Sequence, residues 1–345
     1  MKELESIISS FEKAKILVVG DVVLDEFVWG DVSRISPEAP VPIVAVRKET
    51  FALGGAANVA ANIQSLGGRV FVASVTGDDI NARRLKEEFA AKGISIEGLM
   101  VDSQRPTTLK TRIIAHSQQV VRVDRELVKD IDREIVQRIL KYILSLIEEM
   151  DILIISDYSK GVVTPGLLGK IISLTRKKGI LTIVDPKIKN YLNYKGVNII
   201  TPNQSEAAFM TKREIETEED LFEVGQEILS VLGCIAVLIT RGESGMSLFE
   251  ESGTITHIPT VAHHVYDVTG AGDTVVGVLA LALAAGAGVV EASTLANYAA
   301  GIVVGEVGTA TVTQEELRQA IRGPRLDIDA YHRVTPSRIK DLLGQ

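Results

Sequence analysis

The chain is poor in the residues that mark several large classes of protein. Its one cysteine, Cys234, excludes an intramolecular disulfide. That residue lies in the apolar run Val231-Leu-Gly-Cys-Ile-Ala-Val-Leu-Ile239 and reads as a reduced core position of a cytosolic protein. Basic residues are outnumbered, 37 Lys and Arg against 45 Asp and Glu, so a nucleic-acid footprint is excluded at a formal charge of −8. The amino terminus, Met-Lys-Glu-Leu-Glu-Ser, carries acids and lacks the apolar stretch of a signal peptide. The longest uncharged stretch, Thr274–Val290, is borderline for a bilayer and rich in glycine and alanine. No membrane span is expected, and the location is read as cytoplasmic.

Missing motifs narrow the field further. No G-x-x-x-x-G-K-[ST] occurs, which disfavours a P-loop kinase. No G-x-G-x-x-G follows the first strand, which leaves a dinucleotide fold without its fingerprint. His263-His264 stands without the cysteines or histidine spacing of a zinc site. No internal repeat or low-complexity tract is present.

What the 345 residues do have is a hydrophobic fraction of 46%, enough for a sizeable core. Lys15–Gly20, Val70–Val75, Ile152–Ile155, Ile180–Val184, Asn198–Ile200 and Ala236–Thr240 read as buried strands, because they are continuously apolar rather than alternating. Amphipathic helices are expected between them, over about Ala56–Leu66, Asp78–Lys92, Asp130–Glu149, Pro165–Lys178 and Glu218–Leu232. This β-α order predicts an α/β fold with a doubly wound, mostly parallel sheet, helices on both faces, and ligands outside the carboxyl ends of the strands. Val41–Arg47 alternates like an exposed antiparallel strand. Thr107–Ile114 and Val120–Asp124 read as a hairpin around a polar turn at Ala115–Gln119. These segments form either a small lid sheet (about 26–53 and 105–125) or an extension of the main sheet's edge. One domain is expected over 1–323, with 324–345 a tail ending in a short helix.

The most informative stretch is Asp267-Val-Thr-Gly-Ala-Gly-Asp-Thr274, which runs into an apolar helix. Its glycines permit a tight turn and leave amide groups unpaired at a helix start, where the dipole favours an anion. Asp273 sits in that first turn. An anion hole beside a carboxylate suits a hydroxyl losing its proton as it attacks phosphorus; the plainer reading is a glycine-rich helix cap.

Other polar residues fall at strand ends. Asp21 follows the first strand, with Asp25 four residues on; an aspartate there suits sugar hydroxyls or a turn. Gly54-Gly-Ala-Ala-Asn58 permits close backbone approach and offers an amide to a polyol, while its alanines fit tight helix packing. Asp157 and Lys160 follow one strand, Asp185 and Lys187 another. Asn203 and Glu206 are three apart, so a helix starting at Pro202 places both on one face. They suit Mg²⁺ or its waters, and equally a capping box. Thr240-Arg-Gly-Glu-Ser-Gly245 closes a strand with a turn that brings backbone close to a nucleotide.

In this order, the motifs resemble the ribokinase, or PfkB, family of carbohydrate kinases over about Lys15 to Ala320. The Gly54 segment is similar to that family's amino-terminal signature and Asp267–Thr274 to its carboxyl-terminal one. Ser33–Pro42, Arg105–Arg112, Gln118–Asp124 and Ser156–Gly161 resemble the D-glycero-D-manno-heptose-7-phosphate kinases of ADP-heptose synthesis, in a stand-alone form without a fused nucleotidyltransferase. The resemblance implies a ribokinase-like fold, transfer of phosphate from ATP with Mg²⁺, and the C1 hydroxyl of heptose 7-phosphate as acceptor. It implies Asp273 as base, with the backbone of Gly270, Ala271 and Gly272 stabilising developing charge. Asp21, Gly54, Gly55 and Asn58 would hold the sugar, with Asp157 also on the substrate side. Arg34, Lys110, Arg112, Arg122, Lys160 and Lys187 are the cations of the lid and strand ends, of which two or three would grip a substrate phosphate. Lys187, Asn203, Glu206, Thr240, Gly242, Gly245 and Asn297 would hold the nucleotide, Asn203 and Glu206 meeting Mg²⁺ directly or through water. Asp267 and Thr269 are candidates for a monovalent cation such as K⁺. A β-lid that pairs between subunits implies a homodimer. Two competing readings are a kinase of this fold for a fructose phosphate, ribose or nucleoside, and a non-catalytic sugar-phosphate sensor.

Overall fold

The computed structural model describes residues 2–116, 118–262, 265–323 and 333–334. Its strands begin with β1 (Lys15–Gly20), β2 (Val22–Ile35), β3 (Pro42–Gly55), β4 (Arg69–Thr76), β5 (Leu99–Val101), β6 (Leu109–Ala115) and β7 (Gln118–Arg125). They continue with β8 (Ile152–Ser156), β9 (Leu181–Asp185), β10 (Ile199–Ile200), β11 (Ala236–Thr240), β12 (Met246–Glu250), β13 (Ile255–Ile258) and β14 (Arg333–Val334). The helices are α1 (Lys2–Ile8), α2 (Ala56–Ser65), α3 (Ile80–Ala91), α4 (Arg133–Leu146) and α5 (Pro165–Lys178). After them come α6 (Gln204–Thr211), α7 (Glu218–Leu232), α8 (Ala271–Ala284), α9 (Val289–Val303) and α10 (Gln314–Arg322).

Ten strands form one sheet in the order β14-β13-β12-β11-β10-β9-β8-β1-β4-β5. From β11 to β5 every neighbour is parallel, and β12 to β14 add an antiparallel edge. The continuously apolar strands are buried on both faces. In β1, Ile16 and Val18 pack with α2, α8 and α9, while Leu17 and Val19 pack with α4, α5 and α7. The chain leaves β1 for β4 on one side and reaches β8 on the other. That reversal opens a crevice at the carboxyl ends of β1 and β8, where ligands of such sheets bind.

The other four strands are a separate sheet, ordered β3-β2-β6-β7, not an extension of the large one. Its two long strands pair from Val22↔Gly55 out to Ile35↔Pro42, so the sheet is rooted at the crevice. The expected hairpin is present with a shorter turn, since β6 runs through Ala115 and β7 starts at Gln118. β2, β12 and β13 were not marked by continuous apolar runs, and Val22–Ile35 mixes apolar, charged and glycine residues because its outer half is partly exposed. α4 starts at Arg133 rather than Asp130, because Asp132 caps it by accepting from the Ile135 amide at 3.0 Å. The uncharged Thr274–Val290 stretch is divided between α8 and α9 by a turn at Gly286. No helix among the described residues is long and apolar enough to cross a membrane. His263, His264 and the short helix expected in the tail lie outside the described residues; of that tail only Arg333–Val334 is described, as a strand.

Packing between layers is tight at Gly225 in α7, where an added Cβ would lie 2.5 Å from the Phe249 ring of β12. Alanine is the better helix former by about 1 kcal/mol, but overpacking costs about 1–3 kcal/mol. Gly225→Ala should therefore destabilise the protein, measured as a lower midpoint in urea at an unchanged slope.

Candidate active site

Register brings the strand ends together. Gly20 of β1 pairs with Ser156 of β8, and Ser156 with Asp185 of β9. Asp21, Asp157 and Asp185 therefore leave the sheet along one edge. Above them α2 and α8 lie side by side, both beginning at glycine turns that face the crevice. Gly270 caps α8 with a φ of 80°, and a Cβ there would lie 2.6 Å from Asn58 Nδ2. This close approach lets the Asn58 amide reach Asp273.

Asp273 is buried, and each carboxylate oxygen has a donor. Asn58 Nδ2 donates to Oδ2 at 2.9 Å, and the Tyr158 hydroxyl donates to Oδ1 at 2.7 Å. Burial pushes this carboxyl up to about 6, against the two hydrogen bonds that favour its charged form. At the same helix start the amides of Gly272 and Asp273 find no backbone acceptor, and the space over Gly272 is open. A near-neutral carboxylate next to free amides can accept a proton while an anion forms beside it.

Asp25 closes the site from β2. It is buried, faces Gly54, and forms an ion pair with Arg112 of β6. Lys110 is the register partner of Asp25 and shares a strand face with Arg112. Its Nζ lies 5.7 Å from the centroid of the Tyr158 ring and enters no ion pair among the described residues. Burial lowers the Lys110 ammonium from its ordinary value, with Asp25 opposing. Lys187, 5.5 Å from the same ring, is paired with Glu206. Burial would lower Lys187, but the charges of Asp185 and Glu206 outweigh it and hold the ammonium above its usual range. Burial and then Asp273 push Asp185 well above the ordinary carboxylate range.

Several sequence-marked residues are turned to other partners. Asp21 accepts from the amides of Tyr158, Lys160 and Val162 at 2.9, 3.1 and 2.9 Å, so it is surrounded by backbone donors. Asp157 accepts from Asn190, Tyr194 and the Ser159 amide and does not face Asp273. Lys160 is paired with Glu126 at 2.7 Å. Arg122 is occupied by Asp124, two residues along its own exposed strand.

On the other side, α6 begins at Gln204, not Pro202, because Asn203 is its cap. Asn203 Oδ1 accepts from the Glu206 amide at 2.9 Å, and Glu206 Oε2 accepts from the Asn203 amide at 3.0 Å. Asn203, Thr240 and Gly242 share the wall of a cavity of about 790 Å³ with Ile215 and Arg241, a volume suited to a nucleotide. Gly245 and Asn297 are not on that wall; Asn297 donates to the Pro259 carbonyl at 2.8 Å. Asp267 accepts from the hydroxyl and amide of Thr269 at 2.6 and 2.9 Å and from the Gly308 amide at 2.9 Å. Burial works to raise Asp267, and these bonds hold it below the usual range.

Sequence reasoning favours Asp21 and leaves Asp25, Tyr158 and Asp185 unassigned. Of the two aspartates near β1, Asp25 is the one beside Lys110 and Arg112. The parity of β2 placed it on that face, but this was readable only once β2 was known as a strand.

The Asp25–Arg112 pair supplies a direct test of these electrostatics. Losing one partner of a buried pair leaves an uncompensated charge and costs about 3–5 kcal/mol. Arg112→Ala should show a loss of that size in chemical denaturation, and adding Asp25→Asn should restore a measurable part.

Comparison with known proteins agrees with this geometry. The profile of the pfkB family carbohydrate kinases matches residues 13–316. The bifunctional protein HldE of Geobacter sulfurreducens is 45% identical over 316 residues, covering 92% of this chain and 64% of that protein. HldE of Geobacter metallireducens is 44% identical over 329 residues, 95% of this chain and 67% of its own length. The chain thus spans about two thirds of the relatives it matches. Escherichia coli phosphofructokinase-2, in complex with substrates and products, superposes with a TM-score of 0.75 at 20% identity, over 90% of this chain and 98% of that one. Arabidopsis thaliana ribokinase, complexed with ribose and ATP, gives 0.72 at 17% identity, over 90% and 99%. These two share the fold. The family match over most of its length, joined to a buried carboxylate at an open helix start, makes this chain a member of the pfkB family of carbohydrate kinases.

Proposed function

We propose that the protein transfers the γ-phosphoryl group of ATP to the C1 hydroxyl of D-glycero-D-manno-heptose 7-phosphate, giving the 1,7-bisphosphate for ADP-heptose synthesis. Asp273 takes the hydroxyl proton as the C1 oxygen bonds to phosphorus. The bond from phosphorus to the β-phosphate oxygen breaks, and its electron pair leaves with ADP. The free amides of Gly272 and Asp273 at the start of α8, where the Ala271 amide is instead taken by the Val268 carbonyl, meet the charge that develops on the transferring group. The observation that carries this reading is the pairing of a buried Asp273 carboxylate with those amides.

Lys110 supports a phosphorylated acceptor. Arg112, Lys160 and Lys187 already face carboxylates, whereas Lys110 is half-buried above Tyr158 without one. A substrate phosphate supplies the missing anion. Asp25, Gly54, Gly55 and Asn58 line the sugar side, and Asp21 serves it through the loop it binds. Arg34 lies near the exposed far end of β2 and takes no part. The nucleotide occupies the cavity at Asn203, Thr240 and Gly242, with Gly245 and Asn297 shaping the turn and the Pro259 segment around it.

Glu206 would meet Mg²⁺ through water rather than directly, since its Oε1 is paired with Lys187 and its Oε2 accepts from the Asn203 amide; when bound, the ion would neutralise charge on the triphosphate. Asn203 acts there by capping α6 and holding Glu206 in place. Both Asp267 oxygens are engaged by Thr269 and Gly308, so this pair would serve K⁺ as a shaped loop rather than as free side-chain ligands. A homodimer through the small sheet is supported by β7, exposed at all eight positions, and by exposed Val46, Val121 and Val123.

Three outcomes are expected. Asp273→Asn should lower kcat by about 10²–10⁴-fold while ATP affinity, measured by calorimetry, changes little. Because the base must be ionised, kcat/KM should fall as pH drops through about 6, tenfold per unit below it. In an ATP-consumption assay over a sugar panel, heptose 7-phosphate should be preferred, and Lys110→Ala should raise its KM about 10–100-fold without a comparable effect on an unphosphorylated sugar. Turnover of free ribose or a nucleoside in preference to the sugar phosphate would overturn the substrate assignment and leave the phosphoryl transfer standing.

A further inference from the structure

We infer that Tyr158 is a positioning residue for phosphoryl transfer, fixing the Asp273 carboxylate from the side opposite Asn58. The inference rests on the reading of Asp273 as the base.

Tyr158 lies in the loop between β8 and α5, and that loop is held by two buried carboxylates. Asp21 gathers the amides of residues 158, 160 and 162. Asp157 takes the amide of Ser159 at 2.7 Å, which holds that residue at a left-handed φ of 55°. Asp157 is fixed in turn by Asn190 at 2.7 Å and Tyr194 at 2.6 Å. Four amides tied to two buried carboxylates leave the loop little freedom. Its one aromatic side chain is thereby aimed across the crevice, with Lys110 and Lys187 near its ring and its hydroxyl on Asp273.

A carboxylate with one donor can rotate about its last torsion. With a donor on each oxygen, its plane is set by α2 on one side and the strand-end loop on the other. The lone pair left free on each oxygen then has a fixed direction, as a base must have toward a bound hydroxyl. The Tyr158 hydroxyl suits the role because burial and then the Asp273 charge push its pKa well above the ordinary range, so it stays a donor. The other charged groups facing Asp273 are Asp25 from β2 and Lys187 and Asp185 from the β9 end.

The test is Tyr158→Phe in the full chain, which keeps the ring between the lysines and removes only the donor. We expect kcat to fall about 10–100-fold with KM for ATP within about twofold. The acid limb of the kcat profile should move to higher pH, since a donor to the charged form is gone. In the Asp273→Asn background, Tyr158→Phe should have no further effect on the residual rate. An unchanged kcat and an unmoved acid limb, with Asp273→Asn inactive, would overturn the positioning role alone. Near-wild-type turnover by Asp273→Asn would overturn the base and the positioning role together. A loss of kcat matched by an equal fall in thermal midpoint and no movement of the acid limb would assign Tyr158 to folding only.

Discussion

One constraint governs the arrangement around the crevice: a carboxylate is buried at the start of α8, between donors that favour its charged form. Removing Asp273 from water raises its pKa, and an unpaired buried charge would neutralise. Two donors from distant segments resist that tendency, Asn58 of α2 and Tyr158 of the strand-end loop. Each donor needs its own support. Asn58 reaches Asp273 because Gly270 lets the two helix starts meet, and Tyr158 reaches it because Asp21 and Asp157 hold its loop.

The same economy of charge explains the cations. Among the described residues, two acids of the crevice are matched by cations, Asp25 by Arg112 and Glu206 by Lys187, while Asp21, Asp157 and Asp273 are held by neutral donors. Asp185, which pairs with no cation by direct hydrogen bond, is pushed toward its neutral form instead. Lys110 stands out against this pattern as a half-buried ammonium that lies over an aromatic ring and enters no ion pair among the described residues, although the charge of Asp25 favours it. A half-buried cation outside any ion pair leaves room in the crevice for an anionic group.

The two sheets divide the work. The ten-stranded sheet fixes the strand-end loops through register, Gly20↔Ser156↔Asp185, and gives them a rigid base. The four-stranded sheet grows out of that base at Val22 and Gly55 and carries Asp25, Lys110 and Arg112 to the opposite wall. Its outer strand is exposed along its whole length.

By itself the sequence determined the layered α/β architecture, because strands buried on both faces must be apolar throughout and amphipathic helices must carry a stripe. It also determined the glycine turn that ends at Asp273, because a tight turn before an apolar helix leaves a local mark. The long strand Val22–Ile35 and the antiparallel edge left no such mark, since half-exposed strands mix residue types. Which aspartate faces the crevice was decided only by the tertiary structure. Asp21 and Asp25 look alike along the chain, yet one is enclosed by three backbone amides from residues 158 to 162 and the other meets Arg112. Those partners lie about 90 to 140 positions away, and a carboxylate's role follows from the donors around it. For the same reason, Tyr158 became visible as a partner of Asp273, 115 positions away, only when the chain between them had folded back to bring them together.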